Sequence, residues 1–102
     1  MIRIGLFCAA GMSTSMLVEK MRKVAKEKGV EATINAYPES EMEKRVEEID
    51  VALLGPQVKF MLSKAQGICQ PKGVPVQVIN TMDYGMMNGE KVLNEAIKMA
   101  NK

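Results

Sequence analysis

The sequence predicts an α/β fold: one four-stranded parallel sheet in the order 2-1-3-4, with helices on both faces. Three observations predict it. Short apolar runs alternate four times with stretches of helical period, as strands joined by right-handed helical crossovers do. Val51-Ala52-Leu53-Leu54 is an unbroken apolar run, the pattern of a strand covered on both faces. Residues 30–36 instead alternate apolar with polar, and Pro75 interrupts the last apolar run, so the second and fourth strands belong at the edges. The first and third strands are then central neighbours, and the order follows.

Ile2 to Phe7 reads as the first strand, running into Cys8 and a cluster of small residues. From Ser13 to Lys28 the apolar Leu17, Met21, Val24 and Ala25 recur at helical spacing, with Glu19, Lys20, Arg22, Lys23, Lys26 and Glu27 on the other faces and Gly29 as the stop. Val30 to Ala36 forms the second strand. After Pro38, Met42, Val46 and Ile49 keep a helical period among charged residues, with Ser40 as the expected N-cap. The third strand, 51–54, ends at Gly55-Pro56-Gln57. Val58, Met61, Leu62, Ala65 and Cys69 then continue at helical spacing to Gln70-Pro71. Val74, Val76 and Val78 give the fourth strand, residues 80–88 read as a polar, Met-rich connection, and Leu93, Ala96, Ile97 and Ala100 mark a closing helix.

The length of 102 residues fits one domain spanning 1–102, and 47% hydrophobic with 25% charged residues is an ordinary globular composition. No apolar run reaches the roughly 20 residues that cross a bilayer, and Met1-Ile2-Arg3-Ile4-Gly5 lacks the apolar core of a leader, so the expected location is the cytoplasm. A net charge of +2 without clustering gives no argument for nucleic acid. The two cysteines form neither a Cys-x-x-Cys pair nor a zinc set. Histidine is absent, so any imidazole base, ligand or phosphohistidine must come from another molecule, and a self-contained Cys-His or Ser-His hydrolase is excluded.

In the order 2-1-3-4 the chain leaves strands one and three in opposite directions, which opens a crevice past their carboxyl ends. The loops Cys8 to Ser15 and Gly55 to Gln57 border it. In the first loop, small residues let the backbone curl and turn amide hydrogens inward, and the helix end behind adds about half a positive charge. Cys8, Ala9, Ala10, Gly11, Met12, Ser13, Thr14 and Ser15 therefore read as an anion cradle, with Gly11 suited to a positive φ and the three hydroxyl residues able to donate or to cap the helix. The same field favours a thiolate at Cys8. The plainer alternative, a small buried strand end before a capped helix, has equal support from spacing alone. Cys69 continues an apolar stripe and reads as core.

Leu6-Phe7-Cys8-Ala9-Ala10-Gly11-Met12-Ser13-Thr14-Ser15 closely resembles the active-site loop of the enzyme IIB component of the bacterial sugar phosphotransferase system, lactose/cellobiose branch. Leu53-Leu54-Gly55-Pro56-Gln57-Val58 is similar to that family's second signature, and Ala36-Tyr37-Pro38-Glu39 and Asp83-Tyr84-Gly85 extend the likeness along the chain. The resemblance implies the same four-stranded fold and a phosphotransferase with a phosphocysteine intermediate. Cys8 would accept phosphoryl from a phosphohistidine of enzyme IIA and pass it to a sugar held by membrane enzyme IIC. A β-linked disaccharide such as cellobiose is preferred over chitobiose or lactose. Residues 9–15 would bind the phosphate, with no metal and no cofactor, and the carrier is expected to be monomeric.

Two rival functions share the architecture. A low-molecular-weight tyrosine phosphatase uses a loop of the form Cys-x5-Arg-Ser, whereas Thr14 stands at the arginine position here, which removes a charged bidentate grip on phosphate. Asp83 occupies roughly that enzyme's general-acid position, but Tyr84 replaces its usual proline, and Asp83 reads as a solvated turn residue. A flavodoxin-like binder would need aromatic residues to sandwich a flavin, and the chain has four with no tryptophan. Met12, Met82, Met86 and Met87 flank the crevice as candidates for a shared docking face or for core filling. The basic first helix reads as a solvated face.

Overall fold

The central strand β1 (Ile2–Cys8) pairs in parallel with β2 (Ala32–Pro38) on one side and β3 (Val51–Leu54) on the other, and β4 (Val76–Val78) extends the sheet beyond β3. The order is β2-β1-β3-β4, as the run-and-alternation pattern predicts. The computed structural model describes residues 1–9 and 12–100. Register sets Leu6 between Ala36 and Leu53, and Phe7 between Tyr37 and Leu54. Among the described residues no helix is long and apolar enough to cross a membrane.

Strand alternation divides the core in two. Ile4 and Leu6, with Ile34, Val51 and Leu53, pack under α1 (Met12–Lys28) and α5 (Gly89–Ala100), where Leu17, Met21, Leu93 and Ala96 are fully buried. Phe7, Ala52 and Leu54 point to the opposite face and meet Met42, Val46, Val58, Ala65 and Cys69. Each fully buried large side chain contributes about 1.5–3 kcal/mol. α1 ends at Gly29, whose φ of +70° suits glycine. Its basic face is partly engaged: the Arg22 guanidinium donates to the Ile34 carbonyl and to Asn35 Oδ1, both at 2.9 Å, and Lys28 pairs with Glu90 at 2.8 Å.

Five expectations need correction. The second helix is broken into a 3-10 turn at Glu39–Glu41, α2 (Met42–Arg45) and a second 3-10 turn at Val46–Glu48. Ser40 lies inside the first turn, and neither Pro38 nor Glu41 makes a side-chain cap, so Ser40 is no N-cap. Pro56 opens a 3-10 segment, Pro56–Met61, in which Val58 leaves helical geometry (φ −116°, ψ 26°), and α3 proper is Leu62–Cys69. β4 is only three residues; Val74 precedes it, buried, its N–H donating to the Cys69 carbonyl at 3.0 Å. Residues 80–88 are not simply a connection. Asn80 Oδ1 accepts from the amides of Met82 (2.9 Å) and Asp83 (3.2 Å) and starts α4 (Thr81–Gly85).

Candidate active site

Cys8 is the last residue of β1 and is 1% exposed, in register with Pro38 of β2. Ala9 is exposed, and α1 begins at Met12, so Cys8 stands just before the amino end of a 17-residue helix. The positions of Ala10 and Gly11 and the side chains of Met12 and Ser13 lie outside the described residues, and the cradle expected there stays an expectation. Ser13, Thr14 and Ser15 fall within the first turn of α1 rather than ahead of it, which places them past the N-cap position.

Beside Cys8, β3 ends and the chain turns away. The Gly55 amide donates to the Phe7 carbonyl at 2.8 Å, one step beyond the β1–β3 ladder, and holds the two strand ends together. Gly55 has φ −63° and ψ 148°, which any residue adopts, so what glycine provides there is space. A methyl group there would stand 3.3 Å from Cys8 Cβ and would collide with Oε1 of Gln57. Gln57 thus lies over Gly55 at the same end of the sheet as Cys8. On the other flank, the Tyr37 ring packs 5.5 Å from that of Phe7 and carries the Arg45 guanidinium 4.9 Å above it. The Ala36-Tyr37-Pro38 segment therefore lies alongside the end of β1, with Pro38 opposite Cys8.

Thr14 is completely buried, and its Oγ1 lies 3.3 Å from the hydroxyl of Tyr84 on α4. Gln57 Nε2 donates to the same Tyr84 oxygen at 2.8 Å. The segments that follow β1, β3 and β4 meet at this one hydroxyl. Sequence reasoning placed Gln57 on the crevice rim and gave Tyr84 no role. The available signal was Asn80, a strong N-cap residue that begins a helix carrying Tyr84.

Asp83 is buried rather than solvated. Its carboxylate lies 3.7 Å from Lys91 Nζ of α5, and its amide is capped by Asn80. Cys69 is buried in the α3 face of the core, and burial raises its thiol pKa, which keeps it protonated and inert. Of the four methionines, Met82 and Met86 are 72% and 71% exposed, whereas Met87 packs partly buried against the α1–α5 core. Met16 in α1 and Phe60 after β3 are also largely exposed.

Residues 3–95 match the family of lactose/cellobiose-specific IIB subunits of the PTS. The chain is 45% identical over 96% of its length to a galactose-specific EIIB component of Lactococcus lactis subsp. cremoris, covering 95% of that protein. It is 44% identical, at the same two coverages, to a cellobiose-specific EIIB component of Lactococcus lactis subsp. lactis. An oligo-beta-mannoside-specific EIIB component of Bacillus subtilis is 37% identical over 97% of the chain and 96% of that protein. Among solved structures, the cellobiose-specific IIB component of Borrelia burgdorferi superposes with a TM-score of 0.82 at 50% identity, covering 98% of this chain and 92% of that one. The lactose-specific IIB domain of Streptococcus pneumoniae gives the same TM-score at 16% identity, covering 96% of each chain, and so shares the fold. With the sheet order, the cysteine at the end of its central strand and these likenesses together, the chain belongs to the lactose/cellobiose-specific IIB family of the phosphoenolpyruvate:carbohydrate phosphotransferase system, the sugar-transport phosphotransferase components.

Proposed function

We propose that the protein is a phosphocarrier in which Cys8 receives a phosphoryl group from a phosphohistidine of enzyme IIA and delivers it to a sugar bound by membrane enzyme IIC. In the first half-reaction the Cys8 thiolate attacks phosphorus. The P–N bond breaks as the P–S bond forms, and the imidazole nitrogen keeps the electron pair. In the second, a sugar hydroxyl attacks, the P–S bond breaks, the thiolate leaves, and the hydroxyl proton passes to a base on the partner side. This chain, which has no histidine, supplies neither the donor imidazole nor an imidazole base.

The observation that carries this reading is the position of Cys8: the carboxyl end of the central strand, directly before the amino end of α1, at the point where the sheet order reverses. Phosphoryl transfer needs positioning and neutralisation of charge on the equatorial oxygens, and a helix amino end with the amides of residues 9–15 suits that task without a metal. Exposed Met82 and Met86, with Met16 and Phe60, supply an apolar rim on the segments leaving β1, β3 and β4, suited to docking two proteins in turn. The chain acts as one IIB domain of residues 1–102, monomeric and cytoplasmic, and a cellobiose-like β-disaccharide is its sugar.

Phosphorylated enzyme IIA with a labelled phosphoryl group tests this directly. Peptide mapping is expected to place the label on Cys8, with Cys8→Ser unlabelled and Cys69→Ser labelled as wild type. Label on Cys69, or an undiminished signal in Cys8→Ser, refutes the assignment. Loss of transport-coupled phosphorylation of cellobiose with galactose retained would overturn the sugar choice while leaving the carrier role intact.

A further inference from the structure

Three chain segments, distant in sequence, converge on the Tyr84 hydroxyl: Thr14 at the start of α1, Gln57 after β3, and Tyr84 itself on α4. We infer that Gln57 and Tyr84 are positioning residues for phosphoryl transfer at Cys8, acting through the buried hydroxyl of Thr14. The inference rests on the carrier reading and deepens it.

The Gln57 side-chain amide N–H donates to Tyr84 Oη, which ties Gln57 to the same oxygen that Thr14 reaches. Thr14 Oγ1 lies 3.3 Å from that oxygen, within reach of a hydrogen bond in which either hydroxyl donates. Thr14 has no measurable exposure, so water does not reach its hydroxyl. Thr14 also belongs to the turn of α1 that carries the helix amino end, and fixing it fixes that end relative to β1. Gln57 is tied to the cysteine independently. A methyl group on Gly55 would meet both Gln57 Oε1 and, at 3.3 Å, Cys8 Cβ, so the Gln57 side chain lies over the same glycine that borders Cys8. The thiolate, helix end and hydroxyl chain are thereby set in one geometry before any phosphoryl donor arrives, which is the condition for catalysis by preorganisation.

The test uses the whole protein, phosphorylated enzyme IIA and rapid-quench measurement of label on Cys8. Tyr84→Phe removes one oxygen and keeps the ring. It is expected to lower the maximal rate of Cys8 phosphorylation about tenfold, the effect of one oriented hydrogen bond made in the transition state, with the half-saturating concentration of enzyme IIA unchanged. Gln57→Glu, which replaces the N–H donor to Tyr84 Oη with a carboxylate and so removes that bond, is expected to slow transfer comparably. Thr14→Ser keeps the hydroxyl and rescues the rate, whereas Thr14→Val does not. Tyr84→Phe combined with Thr14→Val is no slower than the worse single variant, because both break one chain. Thermal unfolding of each variant guards against simple misfolding. A wild-type rate in Tyr84→Phe with the label still on Cys8 overturns the positioning role alone, and a change confined to half-saturation assigns these residues to docking and overturns it too. Absence of label on Cys8 in the wild type instead sinks the carrier reading.

Discussion

Gly89, buried at the first position of α5, packs directly against the backbone of α1, and replacing it with alanine measures how tightly the two helices are locked. A methyl group at that position would lie 2.8 Å from the Lys20 carbonyl carbon and Cβ and 2.9 Å from the Met21 amide nitrogen. These atoms are mostly backbone, with no flexible side-chain tip to swing aside. Ordinary van der Waals contact begins at 3.4 Å, so the helices must part by roughly half an ångström, loosening Leu17, Met21, Leu93 and Ala96 together. Overpacking of this kind costs about 1–3 kcal/mol. Alanine's higher helix propensity returns a few tenths at a first-turn position. The net loss lowers the melting temperature by about 5–20 °C for a domain of this size. Gly67 provides the control: it is exposed within α3, has no heavy atom within 4 Å of the position of an added methyl, and Gly67→Ala is expected to stabilise by about 0.5–1 kcal/mol. Both are measured by urea and thermal unfolding under one buffer. If Gly89→Ala matched or exceeded the wild type while Gly67→Ala gained, the close helix contact described here would be wrong.

Three further outcomes follow from the same structure. Gly55→Ala pushes the Gln57 side chain off Tyr84 while leaving the backbone unstrained, so phosphorylation of Cys8 by enzyme IIA slows several-fold and the urea midpoint moves little; a wild-type rate contradicts this. Cys69→Ser buries a hydroxyl in an apolar cluster and destabilises by about 1–3 kcal/mol in urea titration, with label transfer unaltered once folded. Asp50 accepts from Arg3 through Nη2 (2.9 Å), Nε (3.2 Å) and the backbone amide (2.9 Å), and the Arg3 side-chain bonds hold its carboxyl below the usual carboxylate range. Its folded value being depressed, the pair's stability is fully present above the unfolded value of about 3.9 and is lost as pH falls through the folded one. Urea midpoints followed against pH are expected to show a shallower acid limb in Asp50→Asn and little change near neutrality, since both side chains are more than a third exposed.

The sheet was legible because burial writes itself into short runs: 51–54 could only be covered on both faces, and Pro75 could only sit at an edge. The broken helices were not, because Met42, Val46 and Ile49 bury equally well from a mixture of α and 3-10 turns, and side-chain periodicity does not register which hydrogen bonds close. α4 escaped for a different reason. It has five residues, Met82 and its neighbour Met86 face outward, and the inward positions are a polar Asp83 with Tyr84 and, just beyond, Met87, so no apolar stripe exists to be read. Within the site, Cys8 announced itself through local context, a strand end followed by small residues. The Thr14, Gln57 and Tyr84 contacts join positions 70 and 27 residues apart, and no local pattern encodes a pairing across that separation.

The choice of threonine at position 14 bears on why such a site would carry a phosphoryl group rather than hydrolyse it. An arginine there brings a full fixed charge and a bidentate fork, strengthening the transition state for every nucleophile that reaches phosphorus, water included. Thr14 is neutral, and its hydroxyl is engaged with Tyr84 in a place solvent does not reach. The fixed positive field beside Cys8 is then that of the amino end of α1, about half a charge. Such a field orients a phosphoryl group without a dedicated charge on the protein's own side to complete the reaction. On the proposed relay, the missing part is delivered by whichever partner is docked, so reaction and docking become one event. The buried hydroxyl chain sets geometry, the partner supplies the chemistry that finishes the step, and between encounters the P–S bond is left with weak help toward water.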